Sequence, residues 1–332
     1  MTATAIRPAE APARARPRRG RRYRSPLTVR YLALRLLYSV IAVLGAVSVV
    51  FVMVSVSGNP AILLLPQNAT SDQIALVTHA YGLDRPLWIR YVDFLGQVLR
   101  GNFPDSLRYN VPAMDLVLSR VPATLQLSGG SLLIAIVGGI ALGYWLATTR
   151  HIRASNLVLR VFVALQAIPS FLLALLLVLV FSLTLRWLPT SGYTSYLSLV
   201  LPVATLVLFI LPSIARIFRS SLVETFRRDH VSTAVAKGIS ARQARTRHVA
   251  INALGPTVSY IGLHLGGILG GAVVVESVFA YPGVGQLLSN AVSSQDFPVT
   301  LAAVYLIAIG YVVTSFVIDI LLHLLDPQVE MG

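Results

Sequence analysis

Six long apolar stretches constrain this chain more than any other feature of its sequence. They lie at about 32–56, 123–148, 157–185, 198–219, 257–280 and 300–325. Each is long enough to cross a bilayer, since about 20 helical residues at roughly 1.5 Å per residue cover some 30 Å of hydrocarbon. Only 12% of the residues are Asp, Glu, Lys or Arg, a share that is low for a soluble domain. The sequence therefore predicts an all-α membrane protein with six transmembrane helices.

Small residues within these stretches indicate where the helices approach one another. Membrane helices pack closely where Gly, Ala or Ser leave room for a neighbouring backbone. The densest group of glycines is Gly266-Gly267 followed by Gly270-Gly271. We expect these glycines to mark a close contact between helices rather than a ligand site.

The basic residues predict how the chain lies in the membrane. The chain has 27 basic and 13 acidic residues. If the N-terminus is cytoplasmic, nineteen basic residues flank the cytoplasmic ends of the stretches and six lie on the opposite side. Basic residues are retained on the cytoplasmic side, so both termini are predicted to be cytoplasmic. This placement explains the net charge of +14 without nucleic acid as a partner.

The segments between the apolar stretches give the domain organisation. Residues 1–31 form a basic, proline-containing tail that is predicted to be disordered and attracted to lipid, and 326–332 form a second cytoplasmic tail. Residues 57–122 form a long external region after the first span at 32–56, and the helical core covers 123–325. Within the external region, 88–99 has apolar residues at helical spacing, which predicts an amphipathic helix on the outer membrane surface. A lid packed on the spans and a docking face for an external partner both remain open.

The cytoplasmic segment 220–256 carries the most specific pattern. Asp229 can cap a short helix and Gly238 can end it, because glycine accepts the left-handed conformation that often follows a helix. Ser240 and Gln243 match a capping box for a second helix, which stops near Pro256. The result is a short helix whose small side chains allow another protein backbone to approach closely.

This segment resembles the coupling loop, or EAA motif, of ABC importer permeases. The match is closest to the dipeptide and oligopeptide (DppB/OppB-type) branch, which typically reads D-Y-V-R-T-A-R-A-K-G-L where this chain has D-H-V-S-T-A-V-A-K-G-I at 229–239. Further agreement occurs at Gly270–Phe279 and Tyr281–Gly285, and the resemblance covers about 31–328. The chain departs from the branch at His230, where tyrosine is usual, and at Ser57–Pro60, where P-G-D-P is usual.

The resemblance implies an ABC type I importer permease fold and a function. The chain would be one half of a translocation pathway for short peptides in a bacterial cytoplasmic (inner) membrane. Its partners would be a second homologous permease subunit, two ATPase subunits or domains and an extracytoplasmic solute-binding protein. The residues expected to couple it to the ATPases are Glu224, Asp229, His230, Val231, Thr233, Ala234, Ala236, Lys237 and Gly238.

Polar and aromatic residues on otherwise apolar stretches are candidates for lining the pathway, because ionisable and polar groups inside membranes are often functional. They are Gln126, Gln166, Ser170, Ser213, Tyr260, His264, Glu276 and Tyr311. For Glu276, and for Asp319 near the inner end of the last stretch, structural pairing is the alternative to contact with cargo.

The sequence offers no catalytic chemistry of its own. The only lysine, Lys237, precedes its glycine, so it cannot belong to a phosphate-binding P-loop. The six histidines lack metal-ligand spacing, and the chain has no cysteine. We expect a non-catalytic subunit without a cofactor, with ATP and Mg²⁺ bound by the partner ATPases. Import of nickel, heme or another solute remains open, as do a gradient-driven secondary transporter and, less favoured, a membrane enzyme that uses His264.

Overall fold

A computed structural model describes residues 29–56, 69–80, 84–227 and 249–325 of the chain. Within these ranges the regular structure is helical, and the only β-type pairing is an isolated antiparallel bridge between Asp105 and Pro112. The α-helices are α1 (Val29–Val56), α2 (Ser71–Ala80), α3 (Leu87–Leu99), α4 (Ala113–Thr148), α5 (Ile152–Gln166), α6 (Ser170–Leu177), α7 (Val200–Phe226), α8 (Ala250–Val278), α9 (Val284–Ser293) and α10 (Phe297–Leu325). A π-helix (Val178–Thr184) continues α6, and a 3-10 turn (Tyr196–Leu199) leads into α7.

Several of these helices are suited to crossing a membrane. In the described part of the chain, four are long and apolar enough, at 33–53, 113–148, 196–226 and 297–320, and a bent pair could provide a fifth. The predicted span at 257–280 falls on α8. The all-α class is thus confirmed, and the count of six spans stays a prediction.

The predicted span at 157–185 is not one continuous helix. Its residues are divided between α5 and the α6 segment, which meet at an angle of 105°. Pro169 precedes α6, and proline has no N–H to continue the hydrogen bonding of α5. The N–H groups of Ala167 and Ile168 instead close α5 with bonds to Ala164 and Leu165. A proline inside an apolar run therefore decided the break.

α4 begins earlier than the boundary predicted at 123. The helix starts at Ala113, directly after Pro112, with Asp115 in its first turn. An acidic side chain in this position is favourable because the N-terminal end of a helix is electropositive. Pro122 lies inside α4 and does not end it.

The largest interface in the bundle lies between α4 and α7, where two glycines allow the backbones to meet. A Cβ atom on Gly139 would lie 2.7 Å from Ile214 Cγ2, and one on Gly143 would lie 2.7 Å from the carbonyl oxygen of Ala215. Ile214 and Ala215 are buried in this contact. Only residues without a side chain fit at these two positions, so the glycines set the distance between α4 and α7.

The close contact expected at Gly270 and Gly271 is absent. A Cβ on Gly270 would meet no atom within 4 Å, and one on Gly271 would make an ordinary contact at 3.9 Å to Leu206. Gly266 and Gly267 lie in the part of α8 whose side-chain surroundings are not described. The prediction thus fails at Gly270 and Gly271, stays a prediction at Gly266 and Gly267, and a contact of the same kind is observed at Gly139 and Gly143 of α4.

Two apolar cores lie at opposite ends of the helices that form this interface. The first, here called the loop-end core, consists of Phe218, Leu222, Val249 and Ala253, next to residues 228–248. The second, here called the distal core, joins α4, α6, α7 and α8. It consists of Leu127, Ala174, Leu201, Leu206, Ala272, Val275, Phe279 and Tyr281.

A third core attaches α1, α3, α9 and α10 to the end of the bundle that contains the distal core. Val98 of α3 is buried here beside Val47 of α1 and Val117 of α4. The predicted helix at 88–99 is thus observed as α3, and Tyr91 also bonds Ser48 of α1 at 2.6 Å. Trp88 stays 68% exposed, so only part of the apolar face of α3 packs on the chain.

The buried carboxylate of Asp296 holds the loop that precedes α4. It accepts hydrogen bonds from the hydroxyl of Ser106 and, at 3.3 Å and 3.4 Å, from the N–H groups of Leu107 and Arg108. It also faces the N–H of Val299 at 3.5 Å, at the start of α10. One side chain thus serves both as a helix cap and as the anchor of a loop.

We predict that Gly143→Ala destabilises the protein although alanine is the better helix former. The added Cβ would force α4 and α7 apart, and overpacking of this kind costs about 1–3 kcal/mol. The measurement is the thermal unfolding midpoint in detergent. Gly129→Ala on the same helix is the control, since its Cβ meets nothing within 4 Å, and this variant should be neutral or more stable. Equal midpoints for the two variants would contradict the packing argument.

We predict that Asp296→Ala frees the loop at 103–112. Loss of the carboxylate removes the acceptor of the Ser106, Leu107 and Arg108 bonds, so trypsin should cleave after Arg108 several-fold faster. Asp105→Ala is the control, because Asp105 is exposed on the same loop. Equal cleavage rates in both variants would show that Asp296 does not anchor the loop.

Candidate functional site

The predicted coupling segment is described only at its edges. Glu224 lies exposed in the last turn of α7, and the other predicted coupling residues, from Asp229 to Gly238, lie outside the described residues. The two helices that flank the segment meet in the loop-end core, where Leu222 of α7 packs with Val249, directly before α8, and with Ala253 of α8. The two ends of the described chain on either side of 228–248 are therefore held in one packed cluster.

Glu276 lies at the opposite end of α8 and binds the start of α9. Its side chain is fully buried, and its Oε2 accepts hydrogen bonds from the N–H groups of Gly285 at 2.7 Å and Gln286 at 3.3 Å. The hydroxyl of Thr124 on α4 accepts from the N–H of Val284 at 2.8 Å. The first N–H groups of a helix have no partner within the helix and favour negative charge. Glu276 and Thr124 thus fix the N-terminus of α9 to α8 and α4.

Two glycines make room for this carboxylate. A Cβ on Gly283 would overlap the carboxylate of Glu276, and one on Gly285 would lie 2.9 Å from its Oε2. Glycine is therefore required at 283 and 285 by the close approach of the backbone to the buried carboxyl group of Glu276. The second oxygen, Oε1, is buried and has no hydrogen-bond partner within the described part of the chain.

Tyr281 extends the contacts of this region to Gln126 on α4. The Tyr281 hydroxyl donates to Oε1 of Gln126 at 3.1 Å, and the Tyr193 ring meets the Tyr281 ring edge-on at 5.5 Å. Burial raises the pKa of Tyr281 to about 12, so the phenol stays protonated and keeps its role as a donor. The loop before α7 is attached to the same turn, since the N–H of Gly192 donates to the Phe279 carbonyl at 2.8 Å.

Gln166 and Ser213, both proposed from the sequence as pathway lining, bond to each other. The Nε2 of Gln166 donates to Oγ of Ser213 at 2.8 Å and to the carbonyl oxygen of Phe209 at 2.6 Å. Gln166 is the last residue of α5, and Ser213 follows Pro212 inside α7. These bonds join the C-terminal end of α5 to the turn of α7 that contains Pro212.

The remaining lining candidates are separated. Ser170 begins α6 and Tyr260 lies in α8, both half-buried, whereas Tyr311 is 52% exposed on α10. The side chain of His264 is not among those that the structure describes. The structure thus groups Gln126 with the Glu276 region and Gln166 with Ser213, and it does not gather all the candidates into one site.

Asp319 takes part in an ion pair. Its carboxylate lies 2.8 Å from the guanidinium of Arg35, which ties α10 to α1. Structural pairing, one of the two alternatives drawn from the sequence, therefore describes Asp319 in this structure.

Sequence reasoning missed Thr124 and Asp296 as structural anchors. Asp296 stands three residues before Val299 at the start of an apolar run, which is a recognisable capping position. Its bonds to the Ser106 loop could not be predicted, because Ser106 is far from Asp296 in the sequence and no local pattern links the two. In the described ranges, no cluster of three His, Asp or Glu side chains could hold a metal ion.

Comparison with protein families gives two matches that together cover most of the chain. Residues 139–331 match the family described as the inner membrane component of binding-protein-dependent transport systems. Residues 28–128 match the N-terminal part of such a membrane component.

Curated relatives match at higher similarity. The chain is 35% identical over 301 residues to the glutathione transport system permease protein GsiC of Salmonella typhimurium (strain LT2), covering 90% of this chain and 98% of the relative. The GsiC protein of Escherichia coli (strain K12) is 35% identical over 273 residues, covering 82% of this chain and 89% of the relative.

Solved structures agree at the level of the fold. A chain from a crystal structure of the MetNI methionine ABC transporter in an inward-facing conformation matches with a TM-score of 0.53 and 19% identity. The match covers 64% of this chain and 97% of that chain. The resemblance to ABC importer permeases inferred from the coupling loop is thereby confirmed. The chain belongs to the family of inner membrane components of binding-protein-dependent transport systems, the permease subunits of ABC importers.

Proposed function

We propose that this chain is the permease subunit of an ATP-driven importer of short peptides. The observation that carries the proposal is the 35% identity over 90% of the chain to a permease named for glutathione, which is itself a tripeptide. The peptide-branch sequence of residues 229–239 supports the same cargo class. Nickel, heme or another solute carried by the same machinery is the second candidate.

The chain would form half of the pathway beside a second, homologous permease subunit. Two ATPase subunits would bind below, with ATP and Mg²⁺ on those subunits, and a solute-binding protein would deliver the cargo outside. The excess of basic residues around the predicted cytoplasmic segments supports cytoplasmic termini in a bacterial inner membrane.

Coupling to the ATPases would occur through the helix predicted at 229–238. The packing of Leu222 against Val249 and Ala253 supports this role, because a segment whose two ends are held together moves as one unit. Force applied there would reach α7 and α8 at the same time, as a hinge-type transition between two access states requires.

The pathway would be lined by polar side chains that stay partly accessible. Gln126 is exposed beside Tyr281, and Tyr311 is exposed on α10. Glu276 is completely buried under Gly283 and Gly285 in this structure, so contact with cargo would require the α9 turn to open.

The proposal is tested by purifying the chain together with the products of the neighbouring genes. We expect a complex whose ATPase activity rises when the binding protein is added with a pool of di- and tripeptides. Mass spectrometry of the ligand that co-purifies with the binding protein identifies the cargo. Bound nickel or heme would replace the peptide proposal, and full transport by the isolated chain would reject the ATP-driven mechanism in favour of a secondary transporter.

We predict that Gly238→Asp abolishes the peptide-stimulated ATPase activity while the complex still assembles. A charged side chain at the end of the coupling helix would clash with the ATPase that receives it. Gly96→Asp on α3 is the control, because it introduces the same charge at a position where a Cβ meets nothing within 4 Å. Normal stimulation in the Gly238 variant would contradict coupling at 229–238.

A further inference from the structure

α7 passes through two cores that do not share a residue. Phe218 and Leu222 belong to the loop-end core, and Leu201 and Leu206 belong to the distal core. Pro212 lies inside α7 between the two pairs. Each half of α7 is therefore rooted in a different packed unit, and the proline marks the junction.

Pro212 weakens the backbone hydrogen bonding at that junction. Proline has no N–H to offer the carbonyl of Leu208, and its ring crowds that carbonyl. The Phe209 carbonyl lies next to it in the same turn. In membrane helices such freed groups are bonded by neighbouring helices or polar side chains. Here the Gln166 amide donates to the Phe209 carbonyl at 2.6 Å and to the Ser213 hydroxyl at 2.8 Å. One side chain thus bonds α7 on both sides of Pro212.

The helix that supplies Gln166 is itself interrupted at the same level. Gln166 is the last residue of α5, and α5 meets the α6 segment at 105° across a break that contains Pro169. α6 packs with the distal core through Ala174. Near its start, α5 contacts the loop-end half of α7, where Asn156 accepts a hydrogen bond from Arg219 at 3.0 Å. Gln166 therefore connects the end of α5 to the proline-containing turn of α7, which continues through Pro212 as one helix.

We propose that Gln166 is a positioning residue that ties α5 to α7 at a hinge, centred on Pro212, between the loop-end core and the distal core. A movement imposed on residues 228–248 reaches the loop-end core first, because Leu222 and Val249 flank that segment. The two hydrogen bonds of Gln166 make the distal core follow this movement. The source of the movement rests on the proposed function, whereas the hinge itself rests on the contacts described above.

Hydrogen exchange of the full-length chain in lipid nanodiscs tests the hinge directly. Gln166→Met keeps the size of the side chain and removes its N–H donors. Amides in 206–216 should then exchange roughly three- to tenfold faster, the range expected when one or two net hydrogen bonds are lost. Amides in 218–226 should keep their rates.

Asn156→Leu is the matched control. It removes the other polar contact between α5 and α7, on the loop-end side of Pro212, and should leave the exchange of 206–213 unchanged. Equal acceleration at 206–213 in both variants would show that Gln166 contributes only general packing, and that result would overturn the proposal. No acceleration in Gln166→Met would overturn it as well.

A second measurement uses the assembled transporter in proteoliposomes. For Gln166→Met we expect peptide transported per ATP hydrolysed to fall several-fold while basal ATPase activity is retained. A residue that only supports folding would lower both activities together with the yield of complex. Ser213→Ala should give a smaller fall and Ser213→Thr should keep the ratio. The double variant Gln166→Met/Ser213→Ala should be no worse than Gln166→Met alone, because both act on one contact.

The two measurements separate failure of the hinge from failure of the proposed function. If the ATPases do not bind this chain, the proposed function fails, but the exchange at 206–216 must still respond to Gln166→Met. If exchange and the transport ratio are both unaffected in a complex that works, the hinge is rejected and the function stands.

Discussion

The close approach of α4 and α7 at Gly139 and Gly143 is the contact on which the rest of the structure depends. Apolar side chains gain little by leaving lipid, so membrane helices associate where their backbones can come close enough for good packing. The positions of Ile214 and Ala215 against these glycines set both the distance and the register of the two helices. The loop-end and distal cores then form on either side of this interface, since α7 contributes to both and α4 contributes Leu127 to the distal core and packs Tyr144 against the loop-end core.

Buried carboxylates organise the end of the bundle opposite the loop. Glu276 holds the first turn of α9, and Asp296 holds the first turn of α10 together with the Ser106 loop. In each case a carboxyl group lies at the N-terminal end of a helix and accepts backbone N–H groups that would otherwise have no partner. Two short connections are thereby fixed by hydrogen bonds in addition to the apolar contacts of Tyr281, Val284 and Val299.

Together these features describe a bundle with two apolar cores and, between them, the glycine contact of α4 with α7 beside Pro212. Pro169 marks the end of α5, Pro212 lies inside the neighbouring α7, and the amide of Gln166 bonds α7 beside that proline. A permease that alternates between two access states needs rigid parts and a defined place where they move against each other. In the hinge proposed here, the two cores are the rigid parts and the turn around Pro212 is the place of movement.

The sequence by itself determined the class of the protein. Apolar runs of span length predict membrane helices because backbone polar groups must bond within the chain in hydrocarbon, and the pattern at 229–239 pointed to the importer family that the comparisons confirm. The helical spacing of apolar residues at 88–99 also predicted the helix observed as α3. Tertiary structure decided the contacts between distant segments. The sequence predicted a close helix contact at Gly266-Gly267 and Gly270-Gly271, but a glycine shows only that a neighbour could approach. Gly270 and Gly271 have no close neighbour, and the close contact is observed at Gly139 and Gly143. The break in 157–185 likewise depends on how the neighbouring helices pack around a proline. The pairing of Gln166 with Ser213 and the bonds of Asp296 to Ser106 join residues that are far apart in the chain. Local spacing contains no information about such partners, and only the packed bundle brings them together.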